Sequence, residues 1–315
     1  EHGGAAWRVT PPAWRFDIAI EEDLIEEVAR IHGFNRIPET DPATPLAIPA
    51  IRETRVSPET VADLMVQRGY FEAITYSFVD PDLQAVLCPG EPALKLANPI
   101  SADLAEMRVS LWPGLVRALV ENQRRQQPRV RLFELGRKFR LDGSVLTEIP
   151  VLAGLAAGPA LAEQWGAPAA EVDFFDVRAD LEALYRATGA AGAFSFVPGQ
   201  HPALHPGRSA RIRLADRDVG VIGELHPRLQ QKHDLPKGAV LFQLELEPLL
   251  ERPLPAAREL SRFQPLQRDI AVWVDEAVSY QQIVTAIDVR SRADDRLSAL
   301  QEVRLFDVYR PRGDS

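Results

Sequence analysis

The stretch that most limits the architecture is VRLFELGRKFRLDGSVL, residues 130–146. Asp142-Gly143 supplies a tight turn between two apolar-patterned runs, which predicts a β-hairpin. Further strands are expected at 209–215 (SARIRLA), 219–225 (VGVIGEL) and 240–246 (VLFQLEL), with a turn at Asp216 to Asp218 and a short helix from Pro227. Residues 151–158, VLAGLAAG, predict a buried strand. Hairpins outnumber β-α-β units here, so the chain points to an α+β domain built on a mainly antiparallel sheet with helices.

Helices are announced by their caps. Ser57 and Pro58 open one that Gly69 closes, Asp80-Pro81 starts another, and Pro113 precedes a third carrying Leu115, Val116, Leu119 and Val120. A fourth is amphipathic over 173–188. A β-rich run, FEAITYSFV (71–79), and a short strand at KLANP (95–99) complete the expectation for this unit. Two proline-rich seams, 38–50 and 251–265, flank it as linkers. Beyond the second, RDIAVWVD (268–275) and LQEVRLFDVYR (300–310) are expected as strands around a capped helix from Ser279, the first part of a ferredoxin-like fold. At 315 residues, two or three domains are expected. The domains are drawn at 1–40, 41–252 and 253–315. No apolar run approaches the length of a membrane span. The single cysteine, Cys88, excludes a disulfide framework, suits a reducing compartment and is expected to be buried. The first residue is Glu, and the chain is read as a piece of a longer one.

Residues 15–33, RFDIAIEEDLIEEVARIHG, gather six carboxylates. Trp14, Phe16, Ile18 and Ile20 alternate as in a half-buried strand, followed by a helix with an apolar stripe at Leu24, Ile25, Val28 and Ile31 and a glycine cap at Gly33. Asp23, Glu26 and Glu27 share a helix face, and Asp17 can swing toward them. Such oxygens suit a hard cation such as Mg²⁺. They equally suit the helix dipole, with Glu26 pairing Arg30.

Other chemistry is sparse. His201, His205 and His226 each precede proline, which favours turns and packing over zinc. There is no P-loop, dinucleotide fingerprint or nucleophile elbow. The net charge of −9 argues against a chain that coats nucleic acid, yet residues 108–140 hold nine Lys or Arg against Glu121 and Glu134. This segment, with Arg124, Arg125 and Arg129, suits an RNA backbone, a subunit contact or an ordinary solvated loop. Arg258, Arg262 and Arg268 form a second basic group near Phe263 and Trp273; alternation favours core packing for Trp273.

The ordered set WRFDIAIEEDLIEEVARIHGFNRIP, ITYSFVDP, LANPIS, MRVSLWPGLV, RLFELGRKF, HPGRSARI, GELHP, ELSRFQPLQRDIAVWVDEAV and LFDVYR resembles the C-terminal part of bacterial phenylalanine–tRNA ligase β-subunits, over about residues 7–310. The resemblance implies a class II synthetase-like core without its active site, the end of a small α/β domain before it and a truncated ferredoxin-fold anticodon-binding domain after it. It implies no catalytic residues, with Arg108 structural or interfacial. It also implies a Mg²⁺ site at Asp17, Asp23, Glu26 and Glu27 shared with a catalytic α-subunit. The expected assembly is a cytoplasmic (αβ)₂ heterotetramer that uses ATP to charge the phenylalanine tRNA. The family's N-terminal RNA-binding and editing regions are expected to be missing before residue 1, so the chain is expected to be a truncated piece of the subunit. A stand-alone interaction or nucleic-acid-binding module on a degenerate synthetase fold is the alternative.

Overall fold

The computed structural model describes residues 2–3, 6–40, 52–189, 192–232, 235, 237–254, 256, 257, 262–297 and 299–309. Two compact units divide it, residues 1–255 and 256–315. The first opens with a two-stranded ribbon, β1 (His2–Gly3) and β2 (Ala6–Trp7), and the helix α1 (Glu21–His32). The expected strand over 14–20 is replaced by turns. Its polar groups explain why: Asp23 Oδ2 takes the N–H groups of Ala19 (2.7 Å) and Ile20 (2.9 Å), which a strand would need for a ladder. Trp14 and Phe16 stay exposed, as do Val28 and Ile31 on the stripe of α1. Gly33 ends the helix at φ +97°, its N–H on the Ala29 carbonyl at 2.8 Å.

The linker at 38–50 lies almost wholly outside the described residues. After it, Ser57 caps α2 (Pro58–Gln67) by accepting from the Thr60 N–H at 3.2 Å. The run 71–79 makes only two short strands, β3 (Phe71–Glu72) and β4 (Phe78–Val79). Between them Arg108 Nη1 donates to Thr75 Oγ1 at 3.0 Å. Asp80 caps α3 (Pro81–Leu87). The KLANP segment contributes a single bridge, Lys95 to Glu106, beside β5 (Glu106–Met107). Next come α4 (Trp112–Arg124), the hairpin β6 (Val130–Asp142) and β7 (Val145–Ala157), and α5 (Phe174–Ala187), capped by Asp173. Then follow β8 (Phe194–Pro198), β9 (Leu204–Leu214), β10 (Arg217–Leu225), α6 (Pro227–Lys232), β11 (Val240–Glu245) and α7 (Glu247–Leu250).

The main sheet runs β3-β6-β7-β11-β10-β9-β8, parallel only between β3 and β6. Helices cover both faces. Leu152 and Ala156 of β7 and Val240, Phe242 and Leu244 of β11 pack on one side with Met65 of α2 and Leu181 of α5. Val151, Ala153, Leu155 and Leu241 pack on the other with Leu87, Trp112 and Leu115. A strand buried on both faces reads as a continuous apolar run, which is why VLAGLAA does not alternate. Gly158 follows at φ +82°; a Cβ there would stand 1.9 Å from the Pro128 carbonyl oxygen.

The second unit carries α8 (Tyr280–Ala293), capped by Ser279, which accepts from the Gln282 N–H. The two expected strands have no ladder among the described residues. Trp273 is 86% exposed, which corrects its expected core packing; Ile270, Phe306 and Val308 are likewise exposed.

Candidate functional site

At the acidic helix, Arg15 organises the carboxylates. Its Nη2 donates to Asp17 Oδ2 at 2.8 Å and to Glu27 Oε1 at 2.7 Å, and its Nε reaches Asp17 Oδ1 at 3.0 Å. Glu27 Oε2 also takes Arg30 Nη2 at 2.6 Å, so the partner of Arg30 is Glu27 rather than the expected Glu26. These arginines, Arg15 foremost, hold the Glu27 carboxyl down at about 2. Arg15 likewise lowers Asp17, and the backbone N–H groups of Ala19 and Ile20 lower Asp23. Glu26 is exposed. Thus Asp17 and Glu27 meet at one positive group, a guanidinium nitrogen standing where a cation would be attracted. Asp23 is turned to the helix N-terminus. Among the described residues no group of three or more His, Cys, Asp or Glu is arranged to hold a metal ion. The donor chemistry of Asp17 and Glu27 fits a hard cation once Arg15 withdraws; Asp23 joins only by releasing two backbone amides.

The basic segment 108–140 is less bare than its composition suggests. Arg108 is 4% exposed and donates to Glu134 Oε1 at 2.7 Å and to the Arg137 carbonyl at 2.8 Å. It is structural. Arg117 pairs Asp103, Arg124 pairs Glu121, Arg137 pairs Glu148 and Arg140 pairs Asp142. Arg131 is buried against Asp180 at 2.8 Å. Glu121 and Glu134 lie inside the segment, but Asp103, Asp142, Glu148 and Asp180 lie outside it, so a charge count over 108–140 misses them. Arg125 is exposed and Arg129 half-buried, and neither forms an ion pair among the described residues. Arg262 and Arg268 are exposed in the second unit, and Arg258 lies outside the described residues.

Each histidine of the His-Pro pairs performs one job. His201 Nδ1 accepts from Ala203 N–H at 3.2 Å, His205 Nδ1 from Gly207 N–H at 3.0 Å, and His226 Nδ1 from Arg228 N–H at 3.0 Å. Proline lacks an N–H, so the ring caps the first amide beyond it. The turn reading holds. Desolvation pushes His201, edge-on to Trp112, down to about 4. Burial raises the Cys88 thiol to about 12, as an inert structural cysteine requires.

A cleft of about 220 Å³ on the sheet, lined by Lys138, Gln200, His201, Arg211 and Gln243, is partly closed by its own Arg211–Asp218 pair at 2.9 Å. No free arginine pair of the kind that grips a nucleotide triphosphate faces it among the described residues.

Comparison with known proteins places this fold among tRNA synthetase chains: residues 1–34 match the family described as tRNA synthetase B5 domain. Residues 37–246 match that described as Phenylalanyl tRNA synthetase beta chain CLM domain, so the chain belongs to the phenylalanyl-tRNA synthetase beta chain family. The phenylalanine–tRNA ligase beta subunit of Pseudomonas fluorescens Pf-5 is 47% identical over 99% of this chain and 39% of its own length. That of Vibrio cholerae is 44% identical over 98% of this chain and 38% of its own. The chain therefore spans about two fifths of the length of these relatives. A solved pyrrolysyl tRNA synthetase of Desulfitobacterium hafniense, at 18% identity and a TM-score of 0.47 over 61% of this chain and 63% of that one, is too distant to add to the assignment. Among the described residues no helix is long and apolar enough to cross a membrane.

Proposed function

We propose that this chain is part of the β-subunit of phenylalanine–tRNA ligase, the non-catalytic partner of an α-subunit in the cytoplasmic (αβ)₂ enzyme that charges the phenylalanine tRNA at the expense of ATP. Its core, on this reading, is a class II synthetase fold that serves as scaffold. The observation that carries the loss of chemistry is Arg108. Its guanidinium is 4% exposed, with Nη1 tied to Glu134 and Thr75 and Nε to the Arg137 carbonyl, so it is built into the sheet rather than presented to a phosphate. ATP is bound by the α-subunit. Mg²⁺, shared with that subunit, would be held by Asp17 and Glu27 together with Glu26 and, once released from its cap, Asp23; the ion would neutralise a carboxylate cluster at the subunit boundary. Arg124, Arg125 and Arg129, with Arg258, Arg262 and Arg268, are the cations assigned to tRNA or to the interface.

The test is co-expression with the α-subunit from the same genome. Stable co-purification and aminoacylation of the phenylalanine tRNA are expected of the complex supplemented with the rest of the β-subunit. The purified chain alone should give no phenylalanine-dependent pyrophosphate exchange. Exchange that persists after every trace of α is removed overturns the proposal.

A further inference from the structure

Three arginines crowd one carboxylate on the face of the sheet covered by α2 and α5. Asp180, 2% exposed, is saturated. Its Oδ1 accepts from Arg68 Nε at 2.8 Å and lies 2.7 Å from Arg68 Nη2. Its Oδ2 accepts from Arg131 Nη1 at 2.8 Å and from the Tyr70 hydroxyl at 3.0 Å. Arg129 is left over. It makes no hydrogen bond among the described residues, and its Nε, like that of Arg131, is buried without a partner. Burying donors without acceptors is costly, and a guanidinium brings five of them. Burial and the neighbouring charge of Arg131 weaken the hold of Arg129 on its proton. Three positive groups against one negative leave this spot two charges in excess.

Gly69 ends α2 at φ +81°, and Arg129 Nη2 stands in ordinary contact range, 3.7 Å, of where its Cβ would be. Arg68, the residue before it, is 45% exposed at its side chain. The exposed Arg68 and Arg129, unpaired among the described residues, therefore both neighbour Gly69.

We propose that Arg68 and Arg129, backed by the Arg131–Asp180 pair, form a seat for one phosphate group. A phosphate monoester, with about two negative charges and three acceptor oxygens, matches the local excess better than a carboxylate does. The phosphate is a free or terminal one. An RNA phosphodiester, with a single negative charge, would neutralise only part of the excess, and that source rests on the proposed role in tRNA charging, whereas the first does not.

The full 315-residue chain is titrated with inorganic phosphate, against sodium chloride at equal ionic strength, and its melting followed. Phosphate near ten times its Kd should raise the Tm by about 3 °C beyond chloride. Arg129→Gln should abolish that shift without lowering the melting point in chloride, because it breaks no bond. Arg129→Lys should restore part of it. Arg68→Gln should also reduce the shift, with Arg131 and Tyr70 still holding Asp180. A shift equal to that of chloride, or one that survives Arg129→Gln, overturns the seat; so does a polyglutamate that stabilises the chain when phosphate does not. In the RNA arm, binding of the phenylalanine tRNA is measured against salt. A salt slope reduced by about 1 in Arg129→Gln assigns the phosphate to RNA. An unchanged slope with the phosphate shift intact supports the seat with a free or terminal phosphate. None of these readings depends on association with the α-subunit, so failure of the proposed function leaves the phosphate result standing.

Discussion

His201 shows how one ring nitrogen can be structural and pH-sensitive together. Its Nδ1 must be unprotonated to accept the Ala203 amide, and its pKa is depressed to about 4. Between about pH 6.5 and 4 the unfolded chain binds a proton that the folded chain refuses. The contribution is therefore complete above pH 6.5 and lost as pH falls through 4, amounting to at most about 3 kcal/mol. His201→Asn keeps an acceptor for the turn but does not titrate. Denaturant melts should show the wild type losing more stability than this variant between pH 7 and 4, and parallel curves would rule the argument out. Arg15 poses the complementary case. As it occupies the space between Asp17 and Glu27, Arg15→Gln should raise the affinity of the chain for Mg²⁺ on the order of tenfold, by removal of a competing charge. Isothermal titration reads this directly, and equal affinities would show that the arginine and the ion do not compete. The carboxylates could be found from their spacing alone. The pairing pattern could not: Arg30 was expected on Glu26 and sits on Glu27, and Arg15 bridges Asp17 and Glu27 from a turn that the apolar alternation of 14–20 disguised as a strand.

Elements with their own punctuation were the legible ones. The β6–β7 hairpin, α2, α3 and α5 each carry a turn or cap whose side chain hydrogen-bonds locally, so the code lies within a few residues. Strands are different, since alternation records a side-chain pattern while a ladder needs a partner elsewhere in the chain. Residues 268–275 and 300–309 have the pattern and no ladder among the described residues. In hydrogen-exchange mass spectrometry their amides should exchange within seconds, while β7 and β11 stay protected for hours; protection of 268–275 in the isolated chain would contradict the unpaired state. Gly158 tests a position invisible to pattern altogether. Both its positive φ and the Pro128 carbonyl oppose a side chain, so Gly158→Ala should cost about 2–4 kcal/mol, measured as a drop in unfolding free energy. A loss under 0.5 kcal/mol would mean that the 127–129 loop yields freely.

For the whole molecule, sheet order matters more than strand count. β11 is the last strand of the sheet to appear in the chain, yet it lies between β7 and β10 and pairs with both. Without it, the strand order leaves two separate halves, β3-β6-β7 and β10-β9-β8, each with an open edge where β11 pairs. A ribosome adds residues far more slowly than hairpins close. At about 5–20 residues per second, the roughly twenty residues from the end of β10 to the end of β11 take about 1–4 s to make, and over that time the two halves lack the strand that joins them. Release stopped just short of Val240 should leave an aggregation-prone species, whereas release after Glu251 should give a soluble, cooperatively melting unit. The six residues of β11 act as the keystone of assembly during synthesis, and a codon-induced pause immediately before them would be the most hazardous place for translation of this gene to slow.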